Sequence, residues 1–234
     1  MFKKLSPETF KKVRAAKNPM KVVYIPAKVK HAGIQELMHK VQIKESFAIV
    51  STIQFLDEVK ELEKQGYTVL GQILGCNTVS TRGAEVDAYL YIGTGKFHPL
   101  NLAFTSKKPV YILDPMTQEF TRITSEEVDR FEKRKKGMLL KYYNADKIGI
   151  IVSTKSGQNL LNRALRFKKT CGKKAFIFMC NNVKNLEDFQ DIQCWVNTAC
   201  VRILEDDFGV PMVNIRDVEQ KAPENPVYQA SFEK

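Results

Sequence analysis

With 234 residues, 44% of them hydrophobic, the chain carries enough apolar material for one large or two small cores, which excludes an intrinsically disordered protein. It contains no run of about 18 apolar residues that would cross a membrane as a helix, and its opening "MFKKLSPETFKKVRAAKNPM" lacks the apolar stretch of a secretory signal, so the expectation is a cytoplasmic protein with no membrane partner. The formal charge of +11 favours acidic partners, but the lysines of residues 1–20 and of "RFEKRKKG" from Arg130 are not interleaved with base-stacking aromatics, so nucleic acid is not favoured.

Taken in chain order, short apolar runs rich in β-branched residues alternate with amphipathic stretches. The first set is "KVVYIPA" from Lys21, "FAIVST" from Phe47, "YTVLGQIL" from Tyr67, "AYLYIGTG" from Ala88 and "PVYILDP" from Pro109. The second is "KIGIIVST" from Lys147, "KAFIFMC" from Lys174, "CWVNTAC" from Cys194 and "VPMVNI" from Val210. Runs that are apolar at nearly every position belong to strands covered on both faces, the pattern of a parallel sheet. In "FLDEVKELEKQG" Phe55, Val59 and Leu62 share one helical face and Gly66 supplies the stop. The expected fold is therefore α/β, with mainly parallel sheets flanked by helices.

The two sets also echo each other. Ser51 and Thr52 answer to Ser153 and Thr154, Cys76 and Asn77 to Cys180 and Asn181, and "LYIGTG" to "WVNTAC". A repeat of about a hundred residues implies two similar domains. The expected division is a basic segment over 1–20, a first α/β domain over 21–124, a second over 125–222 beginning with a polar helix, and a loose tail over 223–234.

Ligands of parallel α/β sheets gather at the carboxyl ends of strands, where turns expose backbone N–H groups. Four loops fall there. "GTGKFHP" offers Gly93, Thr94, Gly95, Lys96 and His98, its glycines allowing close approach of backbone to an anionic group. "STKSGQ" offers Ser153, Thr154, Gly157 and Gln158, with helix capping as its plainer role. "LGCN" and "NTACVR" supply Cys76, Cys200 and Arg202. The five cysteines form no CxxC pair and no zinc spacing, and a reducing compartment disfavours disulfides. Each thiol alone reads as a small core hydrophobe, so any metal site must be assembled across the fold.

In their order and spacing, "GQILGCN", "DAYLYIGTGKFHPL", "PVYILDP", "IIVSTKSGQ" and "VNTACVRI" resemble the archaeal diphthamide synthase family, 2-(3-amino-3-carboxypropyl)histidine synthase, a non-standard radical enzyme using S-adenosylmethionine. The resemblance runs from about Lys21 to Ile215. It implies a transferase in which three similar α/β domains each give one cysteine to a [4Fe-4S] cluster. It further implies that S-adenosylmethionine binds the iron lacking a protein thiolate and yields a 3-amino-3-carboxypropyl radical, which is added to a histidine of translation elongation factor 2. Carried over, Cys76 and Cys200 are cluster ligands, soft thiolates suited to iron. Gly93, Thr94, Gly95, Lys96, His98, Ser153, Thr154, Gly157 and Gln158 line the cofactor cleft, and Arg202 neutralises a carboxylate.

The pattern departs from the family in two ways. Val201 follows Cys200 where the family has proline. No cysteine precedes Cys76, so the sequence resembles the family's second and third domains and lacks the first ligand. The expectation is a split or oligomeric enzyme, completed by a separate chain or a homodimer and supplied with electrons by a reductant, or else by recruitment of Cys180 or Cys194. The alternatives are a non-catalytic partner subunit and a cluster-free module that binds S-adenosylmethionine or a nucleotide.

Overall fold

The protein is described by a computed structural model over residues 23–74, 81, 83–206 and 208–219. The described residues divide into two units, 23–136 and 137–219. The division falls inside a helix rather than at its start.

In the first unit the apolar runs become β1 (Phe47–Ser51), β2 (Val69–Gln72), β3 (Ala88–Ile92) and β4 (Val110–Asp114). They pair in the order β2-β1-β3-β4, all parallel. An outer strand, β5 (Glu119–Arg122), then returns antiparallel to β4 through a tight turn. The turn is set by Asp114, whose carboxylate accepts the Met116 N–H at 2.9 Å, an arrangement that short acidic side chains favour. Because β5 is polar and exposed apart from Phe120, its sequence carries no strand signal.

Period-two alternation sends successive side chains to opposite faces. Ile49, Leu90 and Ile92 pack under α1 (Ile34–Leu37) and α2 (Leu56–Glu61), with Phe55, Val59 and Leu62 from the latter region. Ala48, Val50, Tyr89 and Tyr91 pack on the other face with Leu102 and Ala103 of α3 (Phe97–Ser106). Gly66 ends the α2 region in the left-handed conformation at φ 89. The run beginning at Lys21 does not form the expected strand in its described part. Val23, Tyr24 and Ile25 are exposed, and Pro26 removes a ladder donor.

The polar segment after β5 is the helix α4 (Ser125–Asn144). It opens on a capping box. The Glu127 N–H donates to Thr124 Oγ1 at 3.2 Å, and the Thr124 N–H to Glu127 Oε2 at 2.9 Å.

The second unit contains β6 (Lys147–Ser153), α5 (Leu161–Thr170), β7 (Lys174–Cys180), β8 (Cys194–Asn197), β9 (Met212–Asn214) and α6 (Ile215–Val218). Its sheet is wholly parallel, in the order β7-β6-β8-β9. With the first strand in each unit flanked by the second and the third, both sheets follow one topology, as the internal echo requires. One face buries Ile148, Ile150 and Val152 against Tyr142, Ala164 and Phe167. The other holds an aromatic cluster, with Phe178 and Phe189 at 4.8 and 5.8 Å from the Trp195 ring.

Trp195 sits opposite Gly149 in the β6–β8 register, and its ring lies across the glycine. A Cβ on Gly149 would stand 2.5 Å from two ring carbons. Gly149→Ala is therefore expected to cost about 1–3 kcal/mol by overpacking, read as a lowered unfolding midpoint. Gly137→Ala, in α4 with open space around it, is expected to raise the midpoint by up to about 1 kcal/mol through helix propensity. Equal effects at the two positions would contradict this packing.

Candidate functional site

In the order β2-β1-β3 the chain leaves β1 for one neighbour and later comes back to pair on the other side. The loops after β1 and β3 therefore part to opposite faces and leave a crevice between the two strand ends, the position where open parallel sheets bind ligands. The second unit repeats the arrangement between β6 and β8. In both, a buried hydroxyl stitches the strand ends at the crevice. Ser51 Oγ donates to the Ile92 carbonyl at 2.7 Å, and Thr198 Oγ1 donates to the Ile151 carbonyl at 2.7 Å.

The loop after β3 brings Gly93, Thr94, Gly95, Lys96 and His98 to the first crevice. Gly93 is buried over the phenol of Tyr91, so a Cβ there would lie 2.6 Å from the phenol oxygen. Burial holds the Tyr91 hydroxyl protonated far above its ordinary range, and it donates to the Thr94 carbonyl at 3.3 Å. Beside it Thr52 Oγ1 is buried without a hydrogen bond of ordinary geometry. Gly95 takes φ 74, and Lys96 reaches Glu127 at 2.7 Å. The Lys96 ammonium holds the Glu127 carboxyl below the usual range, and the same carboxylate closes the capping box of α4. Lys96 is thus committed to shaping the loop. His98 was expected in a loop but lies in the first turn of α3, its ring stacked on Tyr91 at 6.1 Å. Pro99 is tolerated there because first-turn N–H groups have no helical partner.

Loops at the second crevice carry Ser153, Thr154, Gly157, Gln158, Cys200 and Arg202. Ser153 is buried, and its Oγ accepts the Lys155 N–H at 3.1 Å, turning the chain after β6. Gly157 takes φ 75, and the half-buried Gln158 donates its N–H to the Lys155 carbonyl at 3.1 Å. Sequence reasoning missed Asn197, which organises the loop after β8. Its amide nitrogen donates to the Cys200 carbonyl at 2.9 Å and to Asn214 Oδ1 at 3.0 Å, and its oxygen accepts the Ala199 N–H at 2.9 Å. Its sequence signals were a polar residue ending an apolar strand and its place at the start of the "NTACVR" loop. Cys200 follows, exposed, with Arg202 exposed in the 3-10 turn Val201–Glu205.

The thiols separate by burial and by strand end. Cys76 lies in residues 75–80, outside the described residues. Cys194 is wholly buried at the amino end of β8, away from the crevice, and burial pushes its thiol up to about 11. Cys171 follows α5, at the end of the sheet where β7 begins. Cys180 ends β7 at the crevice side but is buried, and burial raises its thiol while the Lys155 charge draws it back. Ser153 pairs with Cys180 and Ser51 with Gln72, so among the described residues Gln72 holds the register position of Cys180. Among the described residues no three potential metal-ligating side chains converge. Cys200 fits one corner of an iron–sulfur site, being a soft donor at the crevice end, accessible and backed by a buried amide.

A sequence profile of the diphthamide synthesis protein family matches residues 8–223. The chain is 32% identical to the 2-(3-amino-3-carboxypropyl)histidine synthase of Pyrococcus horikoshii, covering 87% of this chain and 66% of that protein. It is 30% identical to the synthase of the same name from Methanocaldococcus jannaschii, covering 69% and 46%. The crystal structure of Dph2 from Pyrococcus horikoshii with a 4Fe-4S cluster superposes with a TM-score of 0.62 at 31% identity, covering 82% of this chain and 61% of that one. The chain thus spans from about half to just under two thirds of the length of these relatives.

Alkylation of the native chain at pH 8, followed by mass spectrometry, is expected to label Cys200 well before Cys194, whose buried thiol is ionised only to about one part in a thousand. The unfolded chain releases that proton near 9.0 and the folded chain near 11. Burial of Cys194 therefore contributes stability below pH 9 that is lost as the pH rises to 11. Replacing Cys194 with Ala is expected to flatten that part of the stability profile. Equal labelling of the two thiols would contradict the assigned burial.

Proposed function

The chain belongs to the diphthamide synthesis protein family, and we propose that it is a component of a transferase that moves a 3-amino-3-carboxypropyl group from S-adenosylmethionine to a histidine of translation elongation factor 2. The observation that carries this reading is the exposed Cys200 thiol at a topological switch point, its loop fixed by the buried Asn197. Cys200 and Cys76 would hold a [4Fe-4S] cluster, whose chemistry when bound is one-electron reduction at an iron left open to a substrate.

The chain's own residues bind and orient. Gln158, half-buried after β6, offers an amide to the amino-acid portion of the cofactor, and Arg202 offers a guanidinium that meets a carboxylate with two parallel hydrogen bonds. Ser153 keeps the β6 turn tight, with Thr154 and Gly157 in the segment that follows. In the first unit Gly93, Thr94 and Gly95 present backbone at the crevice, while the Tyr91 phenol below and the Lys96–Glu127 pair beside them fix the loop.

Two thiolates leave the cluster one protein ligand short. Cys194 is at the wrong end of its strand and Cys180 is buried. We assign the third thiolate to another polypeptide or a second copy of this chain, with electrons delivered by a reductant in the cytoplasm.

The test is anaerobic reconstitution with iron and sulfide, read by iron content and electron paramagnetic resonance after dithionite, first on the chain alone and then with a partner supplying one more cysteine. Cys76→Ala and Cys200→Ala are each expected to abolish the reduced-cluster signal, and Cys194→Ala to keep it. A signal surviving both of the first two substitutions would overturn the ligand assignment. With the partner present, transfer of the 3-amino-3-carboxypropyl group to the elongation factor is expected; cluster loading without any cleavage of S-adenosylmethionine would leave a non-catalytic subunit.

A further inference from the structure

The crossover from β6 to the parallel β7 sends α5 back along the sheet, so its last turn lies at the amino end of the strands, away from the second crevice. Ala164 and Phe167 seat the helix on the core. Helical periodicity puts Asn162, Arg166 and Lys169 on the opposite side, and all three are exposed. Lys168 is exposed on the flank of this row, and exposed Lys174 opens β7 just beyond its end. From Lys147 to Leu186 the chain has nine basic residues and no acidic one, so the segment supplies no counter-charge of its own. Among the described residues Arg166, Lys168, Lys169 and Lys174 form no ion pair, while nearby acids are engaged elsewhere. Glu219 is held by Arg163 at 2.5 Å, and Asp191 meets Lys147 at 3.6 Å. Asp146, exposed at the end of the row, precedes Lys147.

Folding alone does not account for this charge. Lys168 and Lys169 complement the negative end of the helix dipole, but Arg166 stands before the last turn, and Lys174 is the register partner of Lys147, like charge beside like charge. A row of unpaired cations favours a polyanion. Protein interfaces are poor in lysine and centre on apolar or aromatic anchors, and a helix that lies on a membrane turns an apolar face outward. The row has neither. Phe167, the aromatic of α5, is buried, so unpaired bases have nothing in the row on which to stack. A duplex has no such need, because its bases are already stacked and its phosphates face outward. Arg166 and Lys169, three positions apart on the helix, stand about 5–6 Å from each other at their Cβ atoms, comparable with the step between successive phosphates of one strand. Asn162, one turn earlier, both donates and accepts, which suits the 2′-hydroxyl that distinguishes RNA.

We propose that the outer row of α5 binds the backbone of duplex RNA without reading its sequence, Arg166 and Lys169 meeting phosphates, Lys168 and Lys174 extending the field at its end, and Asn162 meeting a ribose hydroxyl. The row lies on the outer face of the second sheet, whereas Gln158, Cys200 and Arg202 lie in loops at the strand ends. The inference therefore goes beyond the proposed transferase and does not require it.

The test is fluorescence anisotropy of the full chain, without a cluster, against one short labelled sequence prepared as duplex RNA, duplex DNA and single-stranded RNA, with sedimentation of phosphatidylserine vesicles as a further arm. Duplex RNA is expected to bind most tightly, its affinity falling steeply between about 50 and 200 mM salt. Replacing Arg166 and Lys169 together with Ala, both exposed, is expected to weaken duplex RNA about tenfold and to make the salt slope shallower by about 2, with the unfolding midpoint kept. The same loss of charge at the exposed Lys133 and Lys136 of α4 is expected to change binding little. Asn162→Ala is expected to erase the preference for RNA over DNA. Absence of duplex RNA binding at the lowest salt, equal losses from the two double substitutions, no preference for RNA over DNA, or tighter binding of single strands or vesicles overturns the inference. Cluster loading and cleavage of S-adenosylmethionine, measured with the partner present, are expected to be indifferent to the Arg166 and Lys169 substitutions, so the row and the transferase fail separately.

Discussion

A parallel strand cannot pair with its neighbour until the chain has crossed back over a face of the sheet, and that constraint arranges everything functional in this molecule. It puts the carboxyl ends of β1 to β4, and again of β6 to β9, along one edge of their sheet. Because the first strand of each unit is flanked by the second and the third, one crevice must open beside it. The loops richest in small, hydroxyl, amide and thiol side chains fall at those crevices or next to them, while the apolar alternation along the strands covers both faces.

The same edge explains how the chain can carry polar groups in its core without loss of order. Ser51 and Thr198 spend their hydroxyls on carbonyls of neighbouring strand ends, so each crevice has a fixed width. Asn197 makes three hydrogen bonds from a position that is almost wholly buried, a satisfied network that specifies one loop conformation. Thr52 Oγ1 is the exception, buried beside the Tyr91 phenol without a hydrogen bond of ordinary geometry. Close packing does the remaining work. Tyr91 under Gly93 and Trp195 across Gly149 are large rings accommodated only because the opposing residue has no side chain.

Burial sorts thiols of one chemistry into different roles. A buried cysteine keeps its proton and behaves as a hydrophobe; an accessible one can ionise and bind a soft metal. Cys194 belongs to the first kind and Cys200 to the second, although they are only six positions apart in sequence. The intervening strand carries one away from the crevice and the other to it.

Periodicity and composition are local, and what depends on them was legible in the sequence by itself. Eight of the nine runs read as strands are strands, Gly66 ends its helix, the polar segment after β5 is helical, and the motifs in order identify the family. Pairing, register and burial join residues far apart in the chain, so only the tertiary structure decided them. The run at Lys21 has strand composition but forms no strand in its described part, and β5 has a strand partner but no strand composition. His98 belongs to a helix because the chain turns sharply after Gly95, and Lys96 is drawn to Glu127 by a helix start far along the sequence. Asn197 stands in the "VNTACVRI" motif, yet its role was not legible there, since a hydrogen-bond network exists only once the strands that carry it have been brought side by side.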